Sequence, residues 1–259
     1  MTYAEDLALA LELADIADEI TLARFKASDL RVEKKLDKTE VTDADRAAEV
    51  AITAKLAQTR AADGVIGEEF GTSEGSNRVW VIDPIDGTAN YLRGVPVWAT
   101  LIALSVDGKP VVSVVSAPAL GRRWWAAPGE GAKTRNLDGT VSTLAVSKVS
   151  ALEEASLSYN NLKLWDASGL LGGLLSITRK IWRTRAYGDF WSYMLLAEGS
   201  LDIVAEHDLK IYDIAALVPI VEQSGGRITA IDGPLTPETS SVLASNGLLH
   251  EISSAEILG

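Results

Sequence analysis

The 259-residue sequence has no cysteine. Disulfides, a thiolate nucleophile and cysteine-ligated zinc are therefore excluded, and the composition suits a reducing cytosol. The only histidines, His207 and His250, are too few for a histidine-based metal centre. No run of about 18 apolar residues occurs, so no membrane span is expected. The opening Met-Thr-Tyr-Ala-Glu-Asp-Leu lacks the basic and apolar regions of a signal peptide, which makes the cytoplasm the expected location. Basic residues are in deficit, 24 against 36 acidic, for a net charge of −12. A nucleic-acid partner needs a basic surface and is not expected. An acidic protein that handles an anionic substrate needs local positive charge, which a metal cluster would supply.

At 47% hydrophobic residues the chain can bury a sizeable core. Residues 3–26 read as an amphipathic helix, with Leu9, Leu13, Ile16, Ile20 and Ala23 at helical spacing. The charged stretch 31–42 reads as a loop or ribbon. A second helix starts near Thr42 or Asp43, with Ala47, Val50, Ala54 and Ala57 as its expected inner face. Asp63-Gly64 is a turn and Val65-Ile66 a short strand. From 79 to 150 the pattern is β. Trp98–Val106 and Val111–Ala117 are joined by the turn Asp107-Gly108-Lys109-Pro110, Arg122–Ala127 is another strand, and 128–140 reads as loops. Strands are further expected over 155–159, 201–205, 227–231 and 242–245. Helices are expected over 188–199 and 213–224, the latter bent by Pro219. The expected organisation is an N-terminal α+β lobe over 1–150 and a C-terminal α/β lobe over 151–259, forming one continuous unit.

The most informative stretch is Trp80-Val-Ile-Asp83-Pro-Ile-Asp86-Gly-Thr88-Ala-Asn-Tyr91. A buried strand delivers two carboxylates three residues apart. Pro84 bars a regular strand between them, and Gly87-Thr88 frees backbone N–H groups to face an anion. Carboxylates that collect hard cations beside N–H groups that collect phosphate make a metal-dependent phosphate site. Asp-Pro and Asp-Gly are also common turn pairs, so the stretch alone allows a polar turn. Further acids stand at element ends: Glu68-Glu69 after the 65–66 strand, Asp43 and Asp45 at the second helix, and Asp213 at the later one.

Taken together, the chain resembles the inositol monophosphatase family of magnesium-dependent, lithium-sensitive phosphatases. The resemblance runs from about residue 5 to 250. It is carried by Gly67-Glu68-Glu69, by the 80–88 motif, and by Tyr212-Asp213-Ile-Ala-Ala ending in Gly225-Gly226, with Tyr212 where tryptophan is common. It implies the family's α-β-α-β-α layered fold and a homodimer. It also implies two or three Mg²⁺ ions held by Glu68, Asp83, the carbonyl of Ile85, Asp86 and Asp213. Gly87 and Thr88 then match the phosphate-binding pair, and Asp45 and Thr88 the residues that activate water, with Glu68 counted among the catalytic groups. Lys34 or Lys35 lies near the phosphate. Water, not a covalent phosphoenzyme, is the implied nucleophile.

The substrate is expected to be a small phosphate ester. Arg185-Ala-Tyr-Gly-Asp189 and Asp202 to Lys210, which includes Glu206, resemble the histidinol-phosphate phosphatase branch. That substrate carries an ammonium and an imidazole, which Asp189 and Glu206 can pair with, and Arg185 is grouped with them. The alternative is an inositol-1-monophosphatase of broad range. A 3′-phosphonucleotidase is disfavoured by the acidic 202–208 segment, and a non-catalytic scaffold by the intact ligand set. Asn160-Asn161 is a further candidate for the pocket. Trp191 and Tyr193 read as core or interface, and Trp124 and Trp125 as facing opposite sides of a strand.

Overall fold

The computed structural model describes residues 3–34, 40–73 and 75–259. The N-terminal amphipathic segment is helix α1 (Ala4–Arg24), which buries Leu9, Ala10, Leu13, Ala14 and Ala17. The charged stretch that follows is an antiparallel ribbon, β1 (Val32–Lys34) against β2 (Glu40–Thr42). Helix α2 (Asp43–Thr59) opens on a capping box: the Thr42 hydroxyl accepts from the N–H groups of Ala44 and Asp45, and the Asp45 carboxylate accepts from the N–H of Thr42. Its inner face differs from the expected one. Ala47, Val50, Ala54 and Ala57 are exposed, and Ala44, Ala48, Ile52 and Leu56 are buried with Asp45 and Glu49 among them. Apolar spacing misplaced the stripe because the inward face carries two carboxylates. The fully buried Ile52 and Leu56 contribute about 1.5–3 kcal/mol each, enough to hold that face inward.

Strands β3 (Gly64–Gly67), β4 (Gly71–Ser73) and β5 (Arg78–Asp86) precede the short helix α3 (Thr88–Leu92). They are followed by β6 (Ala99–Val106), β7 (Lys109–Ala117), β8 (Arg122–Ala127), β9 (Gly131–Arg135) and β10 (Val141–Thr143). These eight strands form one sheet in the order β10-β9-β8-β7-β6-β5-β3-β4. The β6–β7 turn is tighter than expected. Val106 pairs with Lys109 across Asp107-Gly108, both at positive φ, and Pro110 already lies in the strand. Strand β9 occupies part of the stretch read as loops. Its burial alternates, but the inward residues are only Ala132 and Thr134, too weakly apolar to register as a strand.

The second half contains β11 (Ser156–Tyr159), α4 (Leu162–Ala167), α5 (Leu171–Thr178), β12 (Arg183–Arg185), α6 (Asp189–Ala197) and β13 (Ile203–His207). It ends with α7 (Ile211–Ile214), α8 (Leu217–Gln223), β14 (Arg227–Ala230), β15 (Ser241–Ser245) and α9 (His250–Leu258). Its five strands pair in the order β12-β11-β13-β15-β14. The bend expected at Pro219 is a break between α7 and α8, since proline has no N–H for the carbonyl of Ala215.

Three cores stack these elements into α-β-α-β-α layers. Helices α1 and α2 pack on one face of the large sheet over Leu13, Ile52, Trp80, Ile102 and Val114. Helices α6 and α8 fill the space between the two sheets with Phe190, Leu196, Leu217 and Ile220. Helices α4, α5 and α9 cover the far face of the small sheet around Leu157, Trp165, Ile177 and Ile257. Trp124 is buried in the middle core, its ring centroid 6.2 Å from that of Phe190, and Trp125 packs into the α1 side. The pair faces opposite sides of β8, as alternation requires.

Candidate active site

The parallel pairing of β3 with β5, Gly67 opposite Ile82, makes both strands leave the sheet at one end. Glu68 is thereby set beside Asp83, and its N–H donates to the Ile82 carbonyl at 3.2 Å. Strand β5 does not stop at Pro84. Its register against β6 slips between Asp83 and Asp86, so Pro84 and Ile85 bulge out. Two bonds pin the bulge: the Thr100 hydroxyl donates to the Pro84 carbonyl at 2.8 Å, and the Ile85 N–H to Asp83 Oδ1 at 3.0 Å. The Ile85 side chain anchors below, with Ala44, Tyr91 and Trp98. Gly87 then turns the chain at φ 83°, a conformation that glycine adopts without strain, into the N-terminus of α3. The N–H groups at such a start have no partner within the helix.

Two groups of acids result. One ligand oxygen from each of Asp83, Asp86 and Asp213 lies within 4.8 Å of the others, and the same holds for Asp45, Glu68 and Glu69. Asp213 is delivered by the first turn of α7, where its Oδ2 accepts from the Lys210 N–H at 2.6 Å. Burial pushes Asp83 and Asp86 well above the usual carboxylate range, with Glu68 adding to the first and Asp189 to the second. Asp213 and Asp45 are each pushed to about 7, again chiefly by burial. Asp45 Oδ1 is buried and has no hydrogen-bond partner among the described residues. Oxygen ligands crowded this closely are tolerated when a hard cation neutralises them, and the all-oxygen set suits Mg²⁺ better than zinc.

A cleft of about 300 Å³ is lined by Glu68, Asp83, Ile85, Asp86, Gly87, Thr88, Asp189 and Asp213. Beside it opens a cavity of about 550 Å³ that shares Asp86, Asp189 and Asp213 and adds Asn160, Asn161, Tyr193 and Glu206. Glu206 is buried, with Oε2 3.4 Å from the Tyr193 hydroxyl and Oε1 without a partner. Burial raises its pKa well above the ordinary value, with Asp189 adding to the effect. Asp189 opens α6 at φ 52°, unusual for a residue with a side chain. It does not cap that helix: Gly188 occupies the cap position, and the Asp189 carboxylate instead accepts from Asn90 Nδ2 at 3.2 Å. Burial pushes it to about 6.

The structure thus brings Asp45, Glu68, Asp83, Ile85, Asp86, Gly87, Thr88, Asp213, Asp189 and Glu206 to adjoining clusters and cavities. It does not bring Arg185 there. That side chain is exposed on the edge strand β12, donating to the Thr184 carbonyl at 2.7 Å, and lines neither cavity. Arg185 ends the edge strand β12 and Asp189 begins α6, so the two side chains line different cavities despite their nearness in sequence. Asp45 and Thr88 are not bonded to each other: Thr42 donates to Asp45 Oδ2 at 2.5 Å, and Thr88 to the Ile85 carbonyl at 3.0 Å. Lys34 is exposed, and Lys35 lies outside the described residues. Asn160 and Asn161 do line the larger cavity, Asn160 donating to the His207 carbonyl at 2.6 Å.

Sequence reasoning missed two residues. Glu49 is buried and accepts from the N–H groups of Glu69 and Phe70 at 2.8 and 3.0 Å, fixing the acidic segment. Its spacing of four from Asp45 places both carboxylates on one helix face, a signal that was readable. Asn90, the donor to Asp189, sits in the 80–91 motif, but its partner is 99 residues away and no local pattern reveals it.

The chain matches the model of the inositol monophosphatase family over residues 3–258. It is 53% identical to a histidinol-phosphatase of Streptomyces coelicolor, covering 99% of this chain and 97% of that protein. A histidinol-phosphatase of Mycobacterium tuberculosis is also 53% identical, over 95% of each. A solved inositol monophosphatase from Zymomonas mobilis superposes with a TM-score of 0.86 at 33% identity, covering the whole of both chains. With the bulged Asp83–Asp86 strand, the converging acids and the five-layered fold, these likenesses establish that the chain belongs to the inositol monophosphatase family.

Proposed function

We propose that this protein is a histidinol-phosphate phosphatase, hydrolysing L-histidinol phosphate to L-histidinol and inorganic phosphate. The observation that carries the substrate assignment is the placement of half-buried Asp189 and fully buried Glu206 in the cavity that adjoins the acid clusters. An inositol ring offers only hydroxyls. Histidinol phosphate offers an ammonium, and a charge-assisted hydrogen bond to it contributes about 1.5–3 kcal/mol. The relatives named histidinol-phosphatase support the same reading.

In this reading Glu68, Asp83, Asp86, Asp213 and the Ile85 carbonyl hold Mg²⁺, two or three ions in all. Bound there, the metal neutralises phosphate oxygens, acidifies a water and stabilises the leaving alkoxide. The chain's own groups do the rest. The N–H groups of Gly87 and Thr88 receive the phosphate at the start of α3. Asp45, held by Thr42 and pushed to about 7, is the group suited to accept a proton from the attacking water. The Thr88 hydroxyl, now on the Ile85 carbonyl, has only to rotate to orient that water. Residues 1–150 then supply most metal ligands and 151–259 the specificity side chains. The reading includes a homodimer, supported by Trp182, 68% exposed beside the edge strand β12, and cytoplasmic action. Among the described residues no helix is long and apolar enough to cross a membrane.

The test is phosphate release from histidinol phosphate, inositol 1-phosphate and adenosine 3′,5′-bisphosphate, with Mg²⁺ and with EDTA. A strong preference for histidinol phosphate, abolished by EDTA, is expected. Preference for inositol 1-phosphate would keep the metal site and remove the role given to Asp189.

A further inference from the structure

Asn90 lies in α3, directly after the phosphate-binding turn, and its amide nitrogen makes two hydrogen bonds. It donates to the Val97 carbonyl at 2.9 Å and to Asp189 Oδ2 at 3.2 Å. The first bond fixes the amide against the segment that leads into β6. The second reaches across the cleft to α6. Gly87 completes the seat: a Cβ there would lie 3.3 Å from Asp189 Oδ2 and 3.1 Å from the Val97 carbonyl, so the carboxylate rests against the bare backbone of the turn. The adjoining peptide is fixed as well, the Phe190 N–H donating to Asp86 Oδ2 at 2.7 Å. The left-handed backbone at Asp189 is thus held from both sides.

We infer that Asn90 is a positioning residue for substrate selection, which fixes the Asp189 carboxylate at a set distance from the phosphate-binding turn and so measures the phosphate-to-ammonium spacing of the substrate. The inference rests on the histidinol-phosphate reading. Gly87 and Asn90 belong to one short segment, and Asn90 N–H itself donates to the Gly87 carbonyl at 2.9 Å. The Asn90 amide is therefore the side-chain link between phosphate seat and cation carboxylate, beside the backbone tie from Phe190 to Asp86. With one Asp189 oxygen turned to Asn90, the other is left to meet the ammonium. Without the amide, Asp189 loses its only hydrogen-bond donor among the described residues, and its orientation is no longer tied to the turn.

The experiment is calorimetric binding of histidinol and, separately, of inorganic phosphate to the Mg²⁺-loaded protein, for wild type, Asn90→Ala, Asp189→Ala and the double variant. Asn90→Ala is expected to weaken histidinol about tenfold, as loss of one hydrogen bond to a charged group does, with phosphate affinity unchanged within about twofold. The double variant should bind histidinol no more weakly than Asp189→Ala alone, because the amide acts through that carboxylate. Asn90→Leu, close in shape but with neither donor nor charge, repeats the loss should the alanine variant fold poorly. Equal weakening of both ligands, or additive losses in the double variant, overturns the positioning role and leaves the substrate reading standing. Wild type that binds phosphate but not histidinol overturns both.

Discussion

The backbone N–H of Phe190 donates to Asp86 Oδ2 at 2.7 Å, joining the first turn of α6 to the end of β5 across 104 residues of sequence. Asp86 belongs to the acid cluster proposed for metal, and Asp189, the neighbour of Phe190, to the proposed substrate site. That bond ties the first turn of α6 to Asp86, and the Asn90 amide ties the Asp189 carboxylate to the turn that follows. Helix α6 is wedged between the sheets by the fully buried Phe190, Met194 and Leu196, which holds that corner in place.

Asp189→Ala is expected to lower kcat/KM for histidinol phosphate by about tenfold to a hundredfold, the worth of one or two charge-assisted hydrogen bonds. A low rate on inositol 1-phosphate should survive, because no uncharged hydroxyl needs the carboxylate. Steady-state kinetics on both esters decides it: an equal fall on the two removes the discriminating role.

Asp83→Asn separates activity from stability. Asp83 is buried beside Glu68, Asp86 and Asp213, and its neutral analogue keeps its shape while removing a charge from the cluster. Turnover should fall by at least about a thousandfold, as loss of a group needed for charge stabilisation does. The melting temperature of the metal-free variant should equal or exceed that of metal-free wild type, since like-charge crowding is relieved. Persistent Mg²⁺-dependent activity would sink the ligand assignment.

The acid cluster also fixes a pH dependence. Asp45 and Asp213 have folded-state pKa values of about 7, and Asp189 of about 6, each raised above the ordinary aspartate value. A raised carboxylate binds a proton in the folded state where the unfolded chain has lost it. Its stabilising contribution is full below about pH 4 and is lost as pH rises through the folded pKa. The metal-free protein should therefore melt at progressively lower temperature between about pH 4 and pH 7. Added Mg²⁺, which competes with those protons, should stabilise more at pH 7.5 than at pH 5. Melting curves with EDTA and with Mg²⁺ at each pH test the sign, and a metal-free melting point that climbs over this range contradicts it.

What was legible in the sequence follows from how locally each feature is specified. The 80–88 motif could be read as a strand made irregular at Pro84 and a turn at Gly87 because those residues impose the conformations themselves. The inward face of α2 could not, because Asp45 and Glu49 are buried on it, contrary to the rule that acids face water. Asp189 was identifiable by type, and its partner Asn90 was not, since only the tertiary fold brings α3 to α6. Arg185 shows the reverse: it is near Asp189 in sequence, yet it stands exposed on the edge strand β12 and lines a different cavity.

Gly67 gives the sharpest test of how the acidic segment is held. Glu49 occupies the space where a side chain at position 67 would begin: a Cβ there would meet Glu49 Oε1 at 1.8 Å. Glu49 in turn accepts the N–H groups of Glu69 and Phe70, and so fixes the turn that carries Glu68 and Glu69. Gly67→Ala must push the Glu49 carboxylate aside and leave two backbone donors without their acceptor, which costs about 1–3 kcal/mol for each left buried. Glu68, the ligand proposed on that turn, loses its support rather than its chemistry. The Mg²⁺ concentration for half-maximal activity should rise about tenfold to a hundredfold, the usual effect of removing a group that orients metal ligands, with a smaller change in rate at saturating Mg²⁺. Glu49→Gln, which keeps the volume and one acceptor oxygen, should show a milder form of the same shift. A Gly67→Ala protein with wild-type Mg²⁺ dependence would mean that the acidic turn is held by the sheet alone.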